Sequence, residues 1–164
     1  MFSFFKTKKH DLRQYKGFSL VEIVVTLGIL AIVSAIVLSS LSSNTDREAL
    51  AKNADAAASV LTEARSLTIS SKSASNYGVR LTSVGPTLFT GTTYNASASS
   101  NRSLALNARV SITNISLTGG GSDVVFSKLT GNTSQNGTFR VALVSNPSVY
   151  KTVTIYKTGL VEVQ

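Results

Sequence analysis

Cysteine is absent from the 164-residue chain, so no disulfide staples the fold, and neither Cys-based zinc sites nor thiol nucleophiles are available. Histidine occurs once, as His10, ahead of a long apolar run. Cleavage at that run leaves a mature chain without imidazole, the commonest general base and metal ligand. Acids are scarce as well: eight Asp and Glu stand against sixteen Lys and Arg, a net charge of +8. Beyond residue 72 the acids are Asp123 and Glu162, too few for a catalytic carboxylate pair or a well-charged Ca²⁺ site. Serine is plentiful, but an ordinary triad needs a histidine. Gly119, Gly120 and Gly121 run into Ser122 and Asp123; without the GK[ST] ending of a phosphate loop they read as a turn. The N-x-S/T matches at Asn95, Asn101, Asn114, Asn132 and Asn136 are what chance supplies in so polar a region. The composition therefore supports no enzyme, and no cofactor or metal is expected.

What the chain does have is one long apolar stretch. IVVTLGILAIVSAIVL, residues 23–38, carries no formal charge, and the 21 residues from Phe18 to Leu38 reach roughly 31 Å as a helix, enough for a bilayer core of about 30 Å. Ahead of it Lys6, Lys8, Lys9, Arg13 and Lys16 face a single Asp11, a net of +4. Basic flanks stay cytoplasmic, which puts the N-terminus inside and the C-terminus outside. A secretory signal needs a small-residue site after the apolar run, and SSLSSNTDREAL makes a poor one.

The better cleavage point lies before the run. Residues 16–22 read KGFSLVE: a basic leader, Gly17, aromatic Phe18, a few apolar residues and Glu22. This resembles the class III signal of type IV pilins and pseudopilins. The resemblance implies that a prepilin peptidase removes residues 1–17, that Phe18 becomes the N-methylated terminus, and that the helix stays in membrane lipid until an assembly platform joins it to other pilin or pseudopilin subunits. It also gives Glu22 a purpose. A carboxylate in a span costs about 2.5–3.5 kcal/mol on insertion scales; in pilin-like proteins its implied partner is the terminal amine of the neighbouring subunit, so that pairing sets axial register. A plain signal anchor with one tolerated interfacial Glu is the alternative.

Past the span, Ser39, Ser40, Leu41, Ser42, Ser43, Asn44 and Thr45 are poor helix formers. A helix restarting at Thr45 is expected from the capping spacing of Thr45 and Glu48. Leu50, Ala54, Ala57, Leu61, Ala64 and Leu67 then recur at helical intervals as one core-facing stripe, and Glu48 and Lys52 stand in the favourable i, i+4 order. After Lys72 the composition turns to Ser, Thr, Asn and Gly with β-prone runs at 77–84, 86–94, 108–117, 123–129, 137–144 and 150–163. The expected fold class is α+β, a long N-terminal helix packed on an antiparallel β-sheet head. The expected divisions are a leader at 1–17, a span at 18–43, an amphipathic helix at 44–72 and a head at 73–164. Phe126, Gly131, Gly137 and Gly159 mark a C-terminal pattern similar to the GspH/FimT group of minor pilins and pseudopilins. Ser39 and the missing cysteines depart from the disulfide-bearing major pilins, so subunit rank stays open, as does the machine served.

From residue 76 onward seven basic residues face two acids, a net of +5. Some relatives of the FimT type bind DNA, and Arg140, Lys151 and Lys157 with Tyr156 are the candidate contacts, through phosphates and base stacking. Scattered solubility charge is the competing reading.

The expected outcome of processing is specific. Mass spectrometry of the membrane-extracted protein should show a chain that begins at Phe18 and carries one added methyl; an intact leader, or a cut after the apolar run, overturns the pilin resemblance.

Overall fold

The computed structural model describes residues 17–70 and 75–164, the side chains of 38–43 excepted. The basic leader and His10 lie outside the described residues. One helix, α1 (Leu20–Ile69), is followed by eight strands: β1 (Tyr77–Thr82), β2 (Gly85–Thr90), β3 (Arg102–Ser103), β4 (Val110–Leu117), β5 (Asp123–Val125), β6 (Gly137–Leu143), β7 (Tyr150–Ile155) and β8 (Val161–Val163). The chain divides into two compact units between Leu41 and Ser42.

The expected interruption of the helix at Ser39–Thr45 does not occur, because α1 is helical without a break through this stretch. Extending an existing helix costs far less than nucleating a new one, and good helical segments lie on both sides. Thr45 is therefore not a cap; its Oγ1 lies 3.5 Å from Arg109 Nη1. The Glu48–Lys52 pair forms as expected, at 2.6 Å.

In the second unit the helical stripe lies as its spacing requires. Leu50, Ala54, Ala57, Leu61 and Ala64 are buried, and Leu67 packs against the same core half-buried. Thr68 extends the stripe by one turn: its hydroxyl donates to Ala64 O at 2.8 Å and accepts from Tyr77 N at 3.0 Å. That second bond ties the helix end to the start of β1.

The strands form two antiparallel sheets of four, ordered β3-β2-β1-β5 and β4-β6-β7-β8. Alternation fixes their faces. Phe139 and Val141 of β6 lie opposite Val153 and Lys151 of β7, and Phe139, Val141, Val153 and Ile155 are buried with Val79, Leu81, Val124 and Phe126 in one core with the helical stripe. Each such aromatic or branched side chain contributes roughly 1.5–3 kcal/mol by leaving water. Between Thr113 and Ser116 the β4–β6 register shifts in a bulge, where Asn114 takes φ 48°, a conformation Asn tolerates better than most residues.

Gly131 and Gly159, two of the positions in the C-terminal pattern, meet directly. Gly159 has φ 76°, and a Cβ there would collide with Gly131 O. Arg65 Nε reaches both Gly131 O and Thr158 O at 3.3 Å, so the end of α1 is clasped to this glycine contact.

Gly159→Ala should therefore lower the stability of a soluble fragment beginning at Asn44 by more than about 2 kcal/mol, strain and backbone collision combined. Gly120→Ala is the comparison: its φ is 74° with nothing within 4 Å of a built Cβ, so about 1 kcal/mol of left-handed strain is all it should cost. Urea midpoints of the two variants check the order.

Candidate functional site

The N-terminal segment is built so that one polar group stands out. Gly17 has open space around its Cα, with nothing within 4 Å of a built Cβ, and Phe18 is 80% exposed. Helical bonding begins at once, as Ile23 N donates to Ser19 O at 3.2 Å. Glu22 sits in the first turn of α1, where the positive end of the helix dipole favours an anion. Leu20–Val37 is long and apolar enough to cross a membrane. Within it Thr26 Oγ1 donates to Ile23 O at 2.9 Å and Ser34 Oγ to Leu30 O at 2.7 Å. Both hydroxyls are thus satisfied by the helix itself, as a lipid environment demands. Glu22 is the one charged residue in this stretch.

In the head the two acids beyond residue 72 serve their neighbours. Both carboxylate oxygens of Asp123 receive Arg80 Nη1 at 3.2 Å. The same guanidinium lies 4.7 Å from the centre of the Tyr94 ring, which meets Phe89 edge-on at 5.6 Å. Glu162 Oε2 accepts from the Tyr156 hydroxyl at 2.7 Å. Two further ion pairs bind α1 to the head, Asp46–Arg109 at 2.6 Å and Glu63–Arg102. The second lines a surface cleft of about 390 Å³ with Ala56, Ser59, Val60 and Leu104. Hydrogen bonding to Glu63 holds the Arg102 guanidinium charged above its ordinary range.

The residues considered for DNA contact are not gathered on one surface. Arg140 pairs across β6–β7 with Thr152, while Lys151 pairs with buried Val141, so the two cations lie on opposite faces. Arg140 is half-buried, its guanidinium 4.1 Å from the centre of the Tyr150 ring. Tyr156 shares the Arg140 face by alternation but stands four residues beyond Thr152, about 13 Å along the strand, and its hydroxyl is engaged by Glu162. Lys157 occupies the turn closed by Gly159 N donating to Tyr156 O. Sequence reasoning missed Asp46 and Arg109 as the join between α1 and the head; a lone Asp inside a helix carries no signal of a partner 63 residues away. Among the described residues no cluster of three or more His, Cys, Asp or Glu is placed to hold a metal.

With this geometry in view, residues 12–38 match the model of the prokaryotic N-terminal methylation motif. No curated protein matches the chain. Among solved structures the chain is similar to the type IV minor pilin FimU of Pseudomonas aeruginosa in two crystal forms. In space group P65 the identity is 15%, with a TM-score of 0.54 over 70% of this chain and 92% of that one. In space group P21 it is 16%, with a TM-score of 0.56 over 73% and 91%. The chain thus has a type-IV-pilin-like fold, a long N-terminal helix with an antiparallel β head, and carries a prokaryotic N-terminal methylation motif.

The Tyr156–Glu162 bond has a measurable signature. Hydrogen bonding to the carboxylate, with its negative charge, raises the Tyr156 phenol above its ordinary value. A group whose folded pKa is raised adds stability below its unfolded pKa, near 10 for Tyr, and loses it as pH rises through the folded value. In an ultraviolet titration Glu162→Gln should bring the Tyr156 transition down in pH; an unmoved transition contradicts the bond.

Proposed function

We propose that the chain is a structural subunit of a type IV pilus or a type II secretion pseudopilus, of minor GspH/FimT type. Prepilin peptidase removes residues 1–17, Phe18 becomes the methylated terminus, and an assembly platform draws the helix from the membrane into a filament of pilin or pseudopilin subunits. The observation that carries this reading is the position of Glu22. It is a carboxylate in a stretch whose hydroxyls are satisfied internally, four residues behind the amine that cleavage after Gly17 creates. A neighbour's amine, cationic with a reference pKa near 8, supplies the charge that the span itself does not, and so sets the axial register of one subunit on the next.

A second reading is supported by the uncompensated positive charge of sheet β4-β6-β7-β8 and its turns. Arg140, Lys151 and Lys157 have no carboxylate partner among the described residues, which suits a DNA-binding minor pilin of an uptake filament. The division of Arg140 and Lys151 between two faces weighs against it, and a membrane-anchored domain that joins no filament is the remaining alternative.

Glu22→Ala should leave insertion, cleavage and head folding intact and reduce incorporation into filaments when it competes with the wild type; equal incorporation removes the register role. For the second reading, a soluble head on duplex DNA should lose affinity with salt at a slope of about −0.9 per phosphate neutralised. The expected result is weak binding that no single Ala substitution at Arg140, Lys151 or Lys157 alters. A steep salt dependence that Lys157→Ala reduces by about one phosphate makes DNA uptake the better account.

A further inference from the structure

One end of the head exposes valines where local conformation gives them no purpose. Thr82 pairs with Gly85, so the β1–β2 turn has Ser83 and Val84 at its tip. Such two-residue turns favour Asn, Asp and Gly, yet Val84 is there and is 68% exposed. The loop joining β6 and β7 reads VSNPSV, with Val144 59% and Val149 37% exposed. Hydrogen bonds bring these loops to the same end: Ile112 N donates to Ser83 O, Leu106 N to Val84 O, Val144 N to Arg109 O and Leu143 N to Val149 O. Arg109 in turn grips Asp46 of α1. Neither loop carries a charged residue, although the head is otherwise strongly basic. Single exposed valines are ordinary; three on the uncharged tips of one end form a patch.

The length of chain between that end and the apolar stretch limits how far the two can separate. Asp46 follows Val37, the last residue of the apolar stretch Leu20–Val37, by nine residues. Nine residues reach at most about 31 Å when extended and about 14 Å as the α-helix this segment forms. Whatever the angle between span and head, the valine-bearing end is tethered within reach of the interfacial layer of the bilayer that holds the span. We propose that this end is a lipid-docking surface: before assembly, Val84, Val144 and Val149 seat in the headgroup–acyl boundary of the outer leaflet of that membrane. Docking orders the anchored subunit, and extraction into a filament breaks the contact. The proposal rests on the reading of Leu20–Val37 as a membrane anchor.

The chain contains no Trp and no Cys, which allows single reporters. The full chain is reconstituted at high lipid dilution into phosphatidylcholine–phosphatidylglycerol vesicles containing lipid brominated high on the acyl chain. Val84→Trp and Val144→Trp should show blue-shifted emission that the brominated lipid quenches. Leu160→Trp should not. Leu160 is exposed at the end where Arg65 holds Thr158, roughly 28 Å along α1 from Asp46. Val84→Cys and Val144→Cys carrying a nitroxide give an independent reading, with the spin label protected from an aqueous relaxant and accessible to oxygen. Unquenched valine-site reporters on a protein that resists carbonate extraction overturn the docking surface and leave the anchor standing. A protein released by carbonate overturns both. A blue shift without quenching that grows with protein-to-lipid ratio assigns the surface to a second copy of the chain and overturns the lipid assignment.

Discussion

The close packing of α1 against the strands is the constraint on which the head depends. Ala54, Ala57 and Ala64 are fully buried, interleaved along the stripe with the larger Leu50 and Leu61. A methyl lets backbone approach backbone, and Ala gives up no side-chain entropy in doing so. The narrow helix surface also explains why the core needs its large side chains elsewhere, with Phe126 and Phe139 among the largest fully buried groups. Enlarging an Ala of the stripe moves sheets that are already joined to one another, the usual way overpacking costs about 1–3 kcal/mol. Thr68 completes the arrangement, because it ends the stripe by handing a hydrogen bond from the helix to β1.

The scarcity of acids organises the polar surface in a comparable way. Asp46, Glu48, Glu63 and Asp123 are each paired with a nearby cation. Exposed pairs of this kind contribute about 0.2–1 kcal/mol each, so their effect lies more in position than in stability. Asp46–Arg109 fixes the helix to the loop before β4 and Glu63–Arg102 fixes it to β3, at two heights, and Asp123–Arg80 joins β5 to β1. With the acids committed, the positive excess falls on the second sheet and its turns by default. That is a reason for a positive excess that requires no polyanion.

The helical stripe was legible residue by residue because a 3.6 period leaves a strong pattern, and the runs at 77–84, 108–117, 137–144 and 150–163 contain strands that begin or end within a few residues of expectation. The continuity of α1 was not legible, since Ser and Asn propensities describe isolated segments and not a turn already flanked by helix on both sides. Strand β3, two exposed residues, has no periodicity to read; it exists because Leu104 N and the β2 backbone have a partner there. The division of the strands into two sheets depends on pairings between distant segments and leaves no local mark. Of the candidate site, the N-terminal methylation motif and a lone acid in the first turn of the apolar helix were legible from residue type and spacing. The valine-tipped end was not, because exposure at a turn is a property of the assembled head.

The two cations of the β6–β7 hairpin show how register decides what a charge count cannot. The connection from Leu143 to Tyr150 sets Ala142 opposite Tyr150 and hence Arg140 opposite Thr152. A slip of one residue would set Arg140 opposite Lys151, and like charges directly opposed destabilise a strand pair. It would also turn Val153 and Ile155 out of the core. In the observed register the diagonal neighbour of Arg140 is Tyr150, whose ring receives the guanidinium at 4.1 Å, a cation–π contact in place of a repulsion. Burial of the β7 valine and isoleucine and placement of the β6 arginine therefore demand the same pairing. The separation of Arg140 from Lys151 follows from the requirements of the core, and any ligand surface this sheet offers has to be built within that limit.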